Sequence, residues 1–237
     1  MSLVTRCPAC HTGFKVVADQ LRICSGWVRC GRCAEVFDGR AHLVDLSARA
    51  EVIPEAAALP VPEAPVPVAQ PGKIEVVELF WYGCPHCYAF EPVLAPWIKQ
   101  LPADVAFRKV HVALGPAWEP HQQLFYTLEA LGKTALDEKV FTALHVERIT
   151  LDKPDRMADF LAKHGVDRKA FLDTYDSFAV RTRKQKATQQ ARAWGLDGVP
   201  GLAVNGKYFT APSMAKGNAQ SLQVVEYLLD LERKARK

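Results

Sequence analysis

The sequence has no stretch approaching the ~18 consecutive apolar residues of a membrane-spanning helix. Its opening, MSLVTRCPAC, holds no apolar h-region and no small-residue cleavage site. On this reading no ordinary secretory leader is expected, and the chain as written is expected to stay in the cytoplasm. Only Met157 and Met214 follow Met1, so no internal start separates the second half. Strong charge of one sign is lacking. A net +4 over 237 residues permits an acidic partner without requiring nucleic acid. An even cysteine count is lacking too, because seven cysteines cannot all pair within one chain. There is no internal repeat beyond the cysteine pairs described next.

Six of the seven cysteines fall into three CxxC units: CPAC, CGRC and CPHC. Such pairs suit metal binding or redox chemistry better than a secreted disulfide scaffold. The otherwise ordinary composition, 49% hydrophobic and 24% charged, belongs to a globular protein. One region departs from it. Between Glu51 and Gly72, six prolines among alanines and valines interrupt any helix or central strand. This reads as a semi-rigid extended linker. The division that follows is a zinc ribbon over 1–40, a Pro/Ala-rich linker over 41–72 and a larger domain over 73–237.

In the first module Cys7 and Cys10 precede Cys30 and Cys33 in the pattern C-x2-C-x19-C-x2-C. Each CxxC turn can present two thiolates, and two turns complete a tetrahedral sulfur shell for structural Zn2+. About 40 residues bury too little apolar surface to be stable alone, so metal would supply folding energy. Short strands are expected in FKVVADQLRI, GWVRC and EVF. Cys24 lies at no ligand spacing and reads as a small buried residue. His11 could compete as a ligand, but four thiolates already close the site. Local disulfides are the alternative. The excess of Arg6, Lys15, Arg22, Arg29, Arg32 and Arg40 over Asp19, Glu35 and Asp38 could touch nucleic acid. No aromatics interleave with these cations, which favours a solvated surface. RCPAC, DQL, WVRCGRC and VFDG resemble the short zinc-ribbon domain at the start of many bacterial proteins. That resemblance implies a fold and a metal, not a task.

In the second module KIEVVELFW reads as a buried strand. Gly83 and Cys84 follow, then Pro85, a natural first residue of a helix. Cys84 would therefore sit at a helix N-terminus, whose free N–H groups and positive partial charge stabilise a thiolate. His86 can add positive charge or a donor. Cys87, one turn further in, should be more buried and act as the resolving partner. VAFRKVHVAL reads as a second strand. Five segments from HQQLFYTLEAL to AVRTRKQKATQQARAWG carry helical spacing, with Gly165 ending one helix and Asp167 capping the next. The basic run Arg181 to Lys186 reads as a solvated helix face. GVPGLAVNGKYFT reads as strand, Asn205-Gly206 turn, strand, and an amphipathic helix closes the chain. A metal site at the third CxxC and a non-catalytic peptide-binding module remain as alternatives.

YGCPHCYAFEP and the order β-α-β, helices, β-β-α over residues 73 to 233 resemble DsbA, a family of bacterial thiol:disulfide interchange proteins. The resemblance implies an α/β thioredoxin-like fold with a helical insertion at about 115–195. It implies that Cys84 is the nucleophile and that Pro200 is a cis-proline facing it. It implies that Val199 pairs with an extended peptide, and that Glu78 is a buried acid relaying protons to or from Cys87. Protein thiols and disulfides would be the partners, together with a redox partner that recycles the Cys84–Cys87 pair. The redox chemistry would need no cofactor. The resemblance implies a periplasmic location, which differs from the cytoplasmic one expected from the opening residues. The alternative function is a cytosolic zinc-dependent interaction or redox-regulatory protein.

Overall fold

The computed structural model describes residues 2–9, 13–17, 21–22, 26–44, 59–60 and 72–236. The chain divides into two compact units, Met1–Ile53 and Pro54–Lys237. Among the described residues no helix is long and apolar enough to cross a membrane.

The first unit is built from short antiparallel strands. β1 (Ser2–Arg6) pairs with β2 (Gly13–Val17), placing Arg6 opposite Gly13. β3 (Trp27–Arg29) pairs with β4 (Val36–Asp38). β5 (Leu43–Val44) lies on the other side of β1. The Thr5 hydroxyl donates to the carbonyls of Gly39, at 2.9 Å, and His42, at 3.0 Å, which ties β1 to the chain after β4. One apolar cluster is only Cys7, Cys30 and Phe37, with Val28 against it.

The second unit is a five-stranded sheet with helices around it. β7 (Ile74–Phe80) is buried along its whole length. Its apolar residues, interrupted only by Glu75 and Glu78, suit a central strand with both faces covered. β8 (Val105–His111) runs parallel to it, with Lys109 opposite Glu78 and His111 opposite Phe80. β9 (Gly201–Val204) and β10 (Tyr208–Thr210) form the expected hairpin, and β9 lies antiparallel to β7. Asn205 and Gly206 both have positive φ, 51° and 66°, as a type I′ turn demands. The Lys207 N–H closes that turn on the Val204 carbonyl at 3.0 Å. A short strand, β6 (Leu59–Pro60), completes the order β6-β10-β9-β7-β8.

Two of these strands, β5 and β6, come from residues 41–72, the expected Pro/Ala-rich linker. Both are two-residue strands inside that stretch. Pro60 is tolerated because β6 is an edge strand, where a missing N–H costs no ladder bond.

Between β8 and β9 the chain is helical, as expected. α1 (Pro85–Ile98) follows β7 directly. The insertion comprises α2 (Glu119–Ala130), α3 (Asp137–His145), α4 (Pro154–Ala162), α5 (Arg168–Tyr175) and α6 (Phe178–Ala193). Asp167 caps α5 by accepting the Ala170 N–H at 2.7 Å. α7 (Asn218–Ala235) closes the chain, with Arg233 and Lys234 in its last turn where the dipole favours cations. Phe80, Tyr82, Phe90, Phe141 and Phe171 are almost wholly buried, each adding roughly 1.5–3 kcal/mol to the core.

Candidate functional site

β7 ends at Phe80, and four residues carry the chain to α1. Gly83 is required there, because a Cβ at that position would meet the Trp81 ring at 2.3 Å. Trp81 is itself held by stacking on Trp118, with ring centroids 4.2 Å apart. The chain then turns, and Cys84 becomes the N-cap of α1 with Pro85 as the first helical residue. The Cys84 sulfur accepts the Cys87 N–H at 3.4 Å. This is the helix N-terminal geometry expected from Cys84-Pro85.

Both cysteines are thiols in this structure. The Cys84 pKa is lowered to about 6, chiefly by the hydrogen bond with the Cys87 thiol. Burial opposes that shift, while the backbone N–H groups of Cys87 and His86 and the His86 charge add to it. The Cys87 thiol is pushed far up by burial, and the Cys84 and Glu78 charges raise it further. One sulfur is thus stabilised as an anion and the other as a neutral thiol. His86 is solvent-exposed on the first turn of α1.

The Val199–Pro200 peptide bond is cis. The Val199 carbonyl lies 3.6 Å from the Cys84 sulfur and accepts from it. Residues 199 and 200, more than 110 positions along the chain, therefore stand beside the first cysteine. Val199 is half-buried, so part of it still faces solvent.

Glu78, on β7, is fully buried, and neither carboxylate oxygen has a hydrogen-bond partner among the described residues. An edge or surface glutamate is ruled out. Its pKa is raised to about 8, first by burial, with the Glu91 and Asp137 charges in support and Lys109 opposing. Lys109 Nζ is 3.7 Å from Glu78 and 2.5 Å from Glu91 of α1. Burial works to lower the Lys109 pKa, but these carboxylates outweigh it and the net shift is upward. The result is a proton-holding acid close enough to Cys87 to act on its charge.

Several residues of the site escaped the sequence reading. Tyr82, two positions before Cys84, is held at three points. Its N–H donates to His111 Nε2 at 3.1 Å, and His145 Nε2 lies 2.7 Å from its carbonyl. A carbonyl only accepts, so His145 carries its proton on Nε2. The Tyr82 hydroxyl donates to Asp137. His145 also stacks on Tyr88 of α1, with centroids 4.9 Å apart. The helical insertion thus grips the cysteine loop through α3. Lys109 and His111 join the site through the parallel register that sets them opposite Glu78 and Phe80, which the sequence alone does not fix. For Asp137 and His145 no local pattern points to the site.

In the first unit the sulfurs of Cys7, Cys30 and Cys33 all lie within 4.8 Å of one another. The Cys7 and Cys33 sulfurs lie 3.5 Å apart. Thiolates around one tetrahedral metal sit about 3.8 Å apart, so the cluster fits a coordinated ion. The Arg32 N–H donates to the Cys30 sulfur at 3.4 Å, a contact suited to holding a thiolate. Cys10, Cys24 and His11 lie outside the described residues. The first unit therefore contains a cysteine cluster able to coordinate a metal ion.

A strand-to-helix CxxC, the Val199 carbonyl ahead of a cis-proline beside it and a helical insertion define a thioredoxin-like thiol-disulfide oxidoreductase. Comparison with known proteins agrees. A zinc-ribbon domain matches residues 3–39, and a DSBA-like thioredoxin domain matches residues 118–230. The chain is 50% identical over 175 residues to the thiol:disulfide interchange protein DsbA of Pseudomonas aeruginosa, covering 73% of this chain and 83% of that protein. It is 51% identical over 171 residues to the protein of the same name from Azotobacter vinelandii, covering 72% and 80%. The crystal structure of Pseudomonas aeruginosa DsbA superposes with a TM-score of 0.73 at 48% identity, over 76% of this chain and 94% of that one. An oxidoreductase DsbA from Xylella fastidiosa gives 0.69 at 30% identity, over 75% and 96%. The chain belongs to the DsbA family and is a thiol-disulfide oxidoreductase. These comparisons lend no support to the alternative, a cytosolic zinc-dependent interaction or redox-regulatory protein.

Proposed function

We propose that the chain exchanges disulfides with protein substrates through Cys84 as nucleophile and leaving group and Cys87 as resolving thiol. The observation that carries this is the opposite tuning of the two sulfurs at the start of α1. In the oxidised form a substrate thiolate attacks the Cys84 sulfur. The Cys84–Cys87 bond breaks, and Cys87 leaves as a thiolate that its buried surroundings drive to take a proton. Glu78, protonated below about pH 8, is the group that supplies it. A second substrate thiolate then attacks the substrate's own sulfur in the mixed disulfide. Cys84 departs as a stabilised thiolate, and a low-pKa leaving group departs fast. Two electrons pass from the substrate to the Cys84–Cys87 pair, and a recycling redox partner takes them up.

Val199, beside Pro200 and against the Cys84 sulfur, offers backbone for an extended substrate segment to pair with. His86 supports the anion at Cys84. The domain carrying this chemistry runs over 73–237, with Leu59–Pro60 as its edge strand, behind a ribbon over 1–40. In that ribbon Cys7, Cys10, Cys30 and Cys33 would hold Zn2+, which supplies structural stability when bound. Membership of the family favours an oxidising, periplasmic site of action over the cytoplasm. The test is oxidation of a dithiol peptide, together with insulin reduction, by the wild type and by Cys84→Ser. The wild type should turn over both substrates and the variant neither; equal activity in the two proteins refutes the assignment.

A further inference from the structure

The chain carries two sets of closely spaced sulfurs, and the redox assignment uses only one. In the ribbon Cys7 and Cys33 bring their sulfurs to 3.5 Å. A disulfide holds its sulfurs roughly 2 Å apart, so these two already stand close to bonding distance. The two sulfurs differ in access. Cys7 is buried, whereas Cys33 is exposed within a run of exposed residues from Gly31 to Val36. A dithiol with one accessible sulfur and its partner just behind it is what thiol–disulfide exchange requires of a substrate. The accessible sulfur attacks, and the hidden one resolves. The oxidant is the Cys84–Cys87 disulfide, which the recycling redox partner of the proposed function regenerates.

We infer that the Cys7/Cys33 dithiol is itself a substrate of this protein's Cys84–Cys87 disulfide whenever the ribbon lacks metal, so that metal loading protects the ribbon from the enzyme. The inference rests on the proposed roles of Cys84 and Cys87. The Cys33 thiolate attacks the Cys84 sulfur, the Cys84–Cys87 bond breaks, and Cys87 leaves and takes up a proton. Cys7, as a thiolate, then attacks Cys33 in the mixed disulfide, and Cys84 leaves as a thiolate. Two electrons move from the ribbon sulfurs to the active-site pair. Of the two protons the ribbon thiols give up, one ends on Cys87 and one in solvent. With metal bound, both ribbon sulfurs have their lone pairs committed to the cation, and oxidation requires its release. Ribbon oxidation would therefore report a shortage of metal, and it would store the ribbon in a form that cannot rebind metal until it is reduced.

The experiment uses the full chain, oxidised at Cys84–Cys87 and loaded with zinc, then divided. One portion is stripped anaerobically with a chelator. Disulfides are mapped in both portions by mass spectrometry of non-reduced peptides. The stripped protein should accumulate the Cys7–Cys33 link in step with loss of the Cys84–Cys87 link. The loaded protein should not, and neither should stripped Cys84→Ser. A stripped wild type that keeps its ribbon thiols, while the same sample oxidises an added dithiol peptide, overturns the inference and spares the redox assignment. Failure on the added peptide as well refutes the redox assignment, and this inference with it.

Discussion

Cys30–Cys33 and Cys84–Cys87 share one spacing and differ in almost everything that decides chemistry. The ribbon pair sits in a tight turn, where Ala34 takes a positive φ of 62° and its N–H closes on the Cys30 carbonyl at 2.9 Å. That turn sends both sulfurs toward Cys7. The second pair starts a helix after a buried strand, so Cys84 accepts a helix N–H while Cys87 is buried within the field of the Glu78 carboxyl. Spacing sets how near two sulfurs can come. The element that carries them sets whether they converge on a third sulfur or are tuned against each other.

The largest expected effect separates the two pairs by metal content. Cys30→Ser should lower bound zinc from about one per chain to none, because three thiolates no longer close a tetrahedral shell. Cys84→Ser should leave zinc content as it was. Elemental analysis of the two purified variants checks this, and equal loss in both would erase the distinction.

A smaller effect concerns the acid that only the second pair has. The folded pKa of Glu78, about 8, lies above its ordinary value of 4.5. The native state therefore keeps a proton that the unfolded chain releases. The associated stability is complete below about pH 4.5 and is lost as pH rises to about 8. Glu78→Gln should remove that slope and stabilise the protein at its upper end by on the order of 2 kcal/mol. Lys109 would keep its contact with Glu91. Urea midpoints across this range measure the effect. A variant less stable than wild type at the alkaline end would mean that Glu78 is held as a well-paired carboxylate.

Smaller again is the hold of the insertion on the cysteine loop. His145→Ala leaves the Tyr82 carbonyl without its 2.7 Å donor, at a cost of about 1–3 kcal/mol. Urea unfolding would show it. A cost well under that range would mean the grip resides in the Tyr82–Asp137 contact instead.

The parts of this account that were legible in the sequence are local. Cys84-Pro85 announced a helix N-terminus, Asn205-Gly206 a type I′ turn and Asp167 a cap, because each depends on residues a few positions apart. The illegible parts depend on distant partners. Leu59–Pro60 is a strand only because β10 offers it an edge. β1 and β5 exist through each other and β2. Nothing within α3 marks His145 or Asp137 as supports of a loop more than 50 residues earlier. Glu78 lies between these cases. An acid inside an apolar run asks for an explanation, but the pairing of β7 with β8 is needed to supply Lys109.

The central claim is that the two sulfurs at the start of α1 are tuned in opposite directions. It is tested most directly by alkylating the reduced protein across a range of pH and assigning the labelled residue by mass spectrometry. The account predicts that Cys84 reacts first, with a rate that rises through a midpoint near pH 6, while Cys87 stays unlabelled in the folded protein. Preferential labelling of Cys87, or a Cys84 midpoint near that of an ordinary thiol, would contradict it.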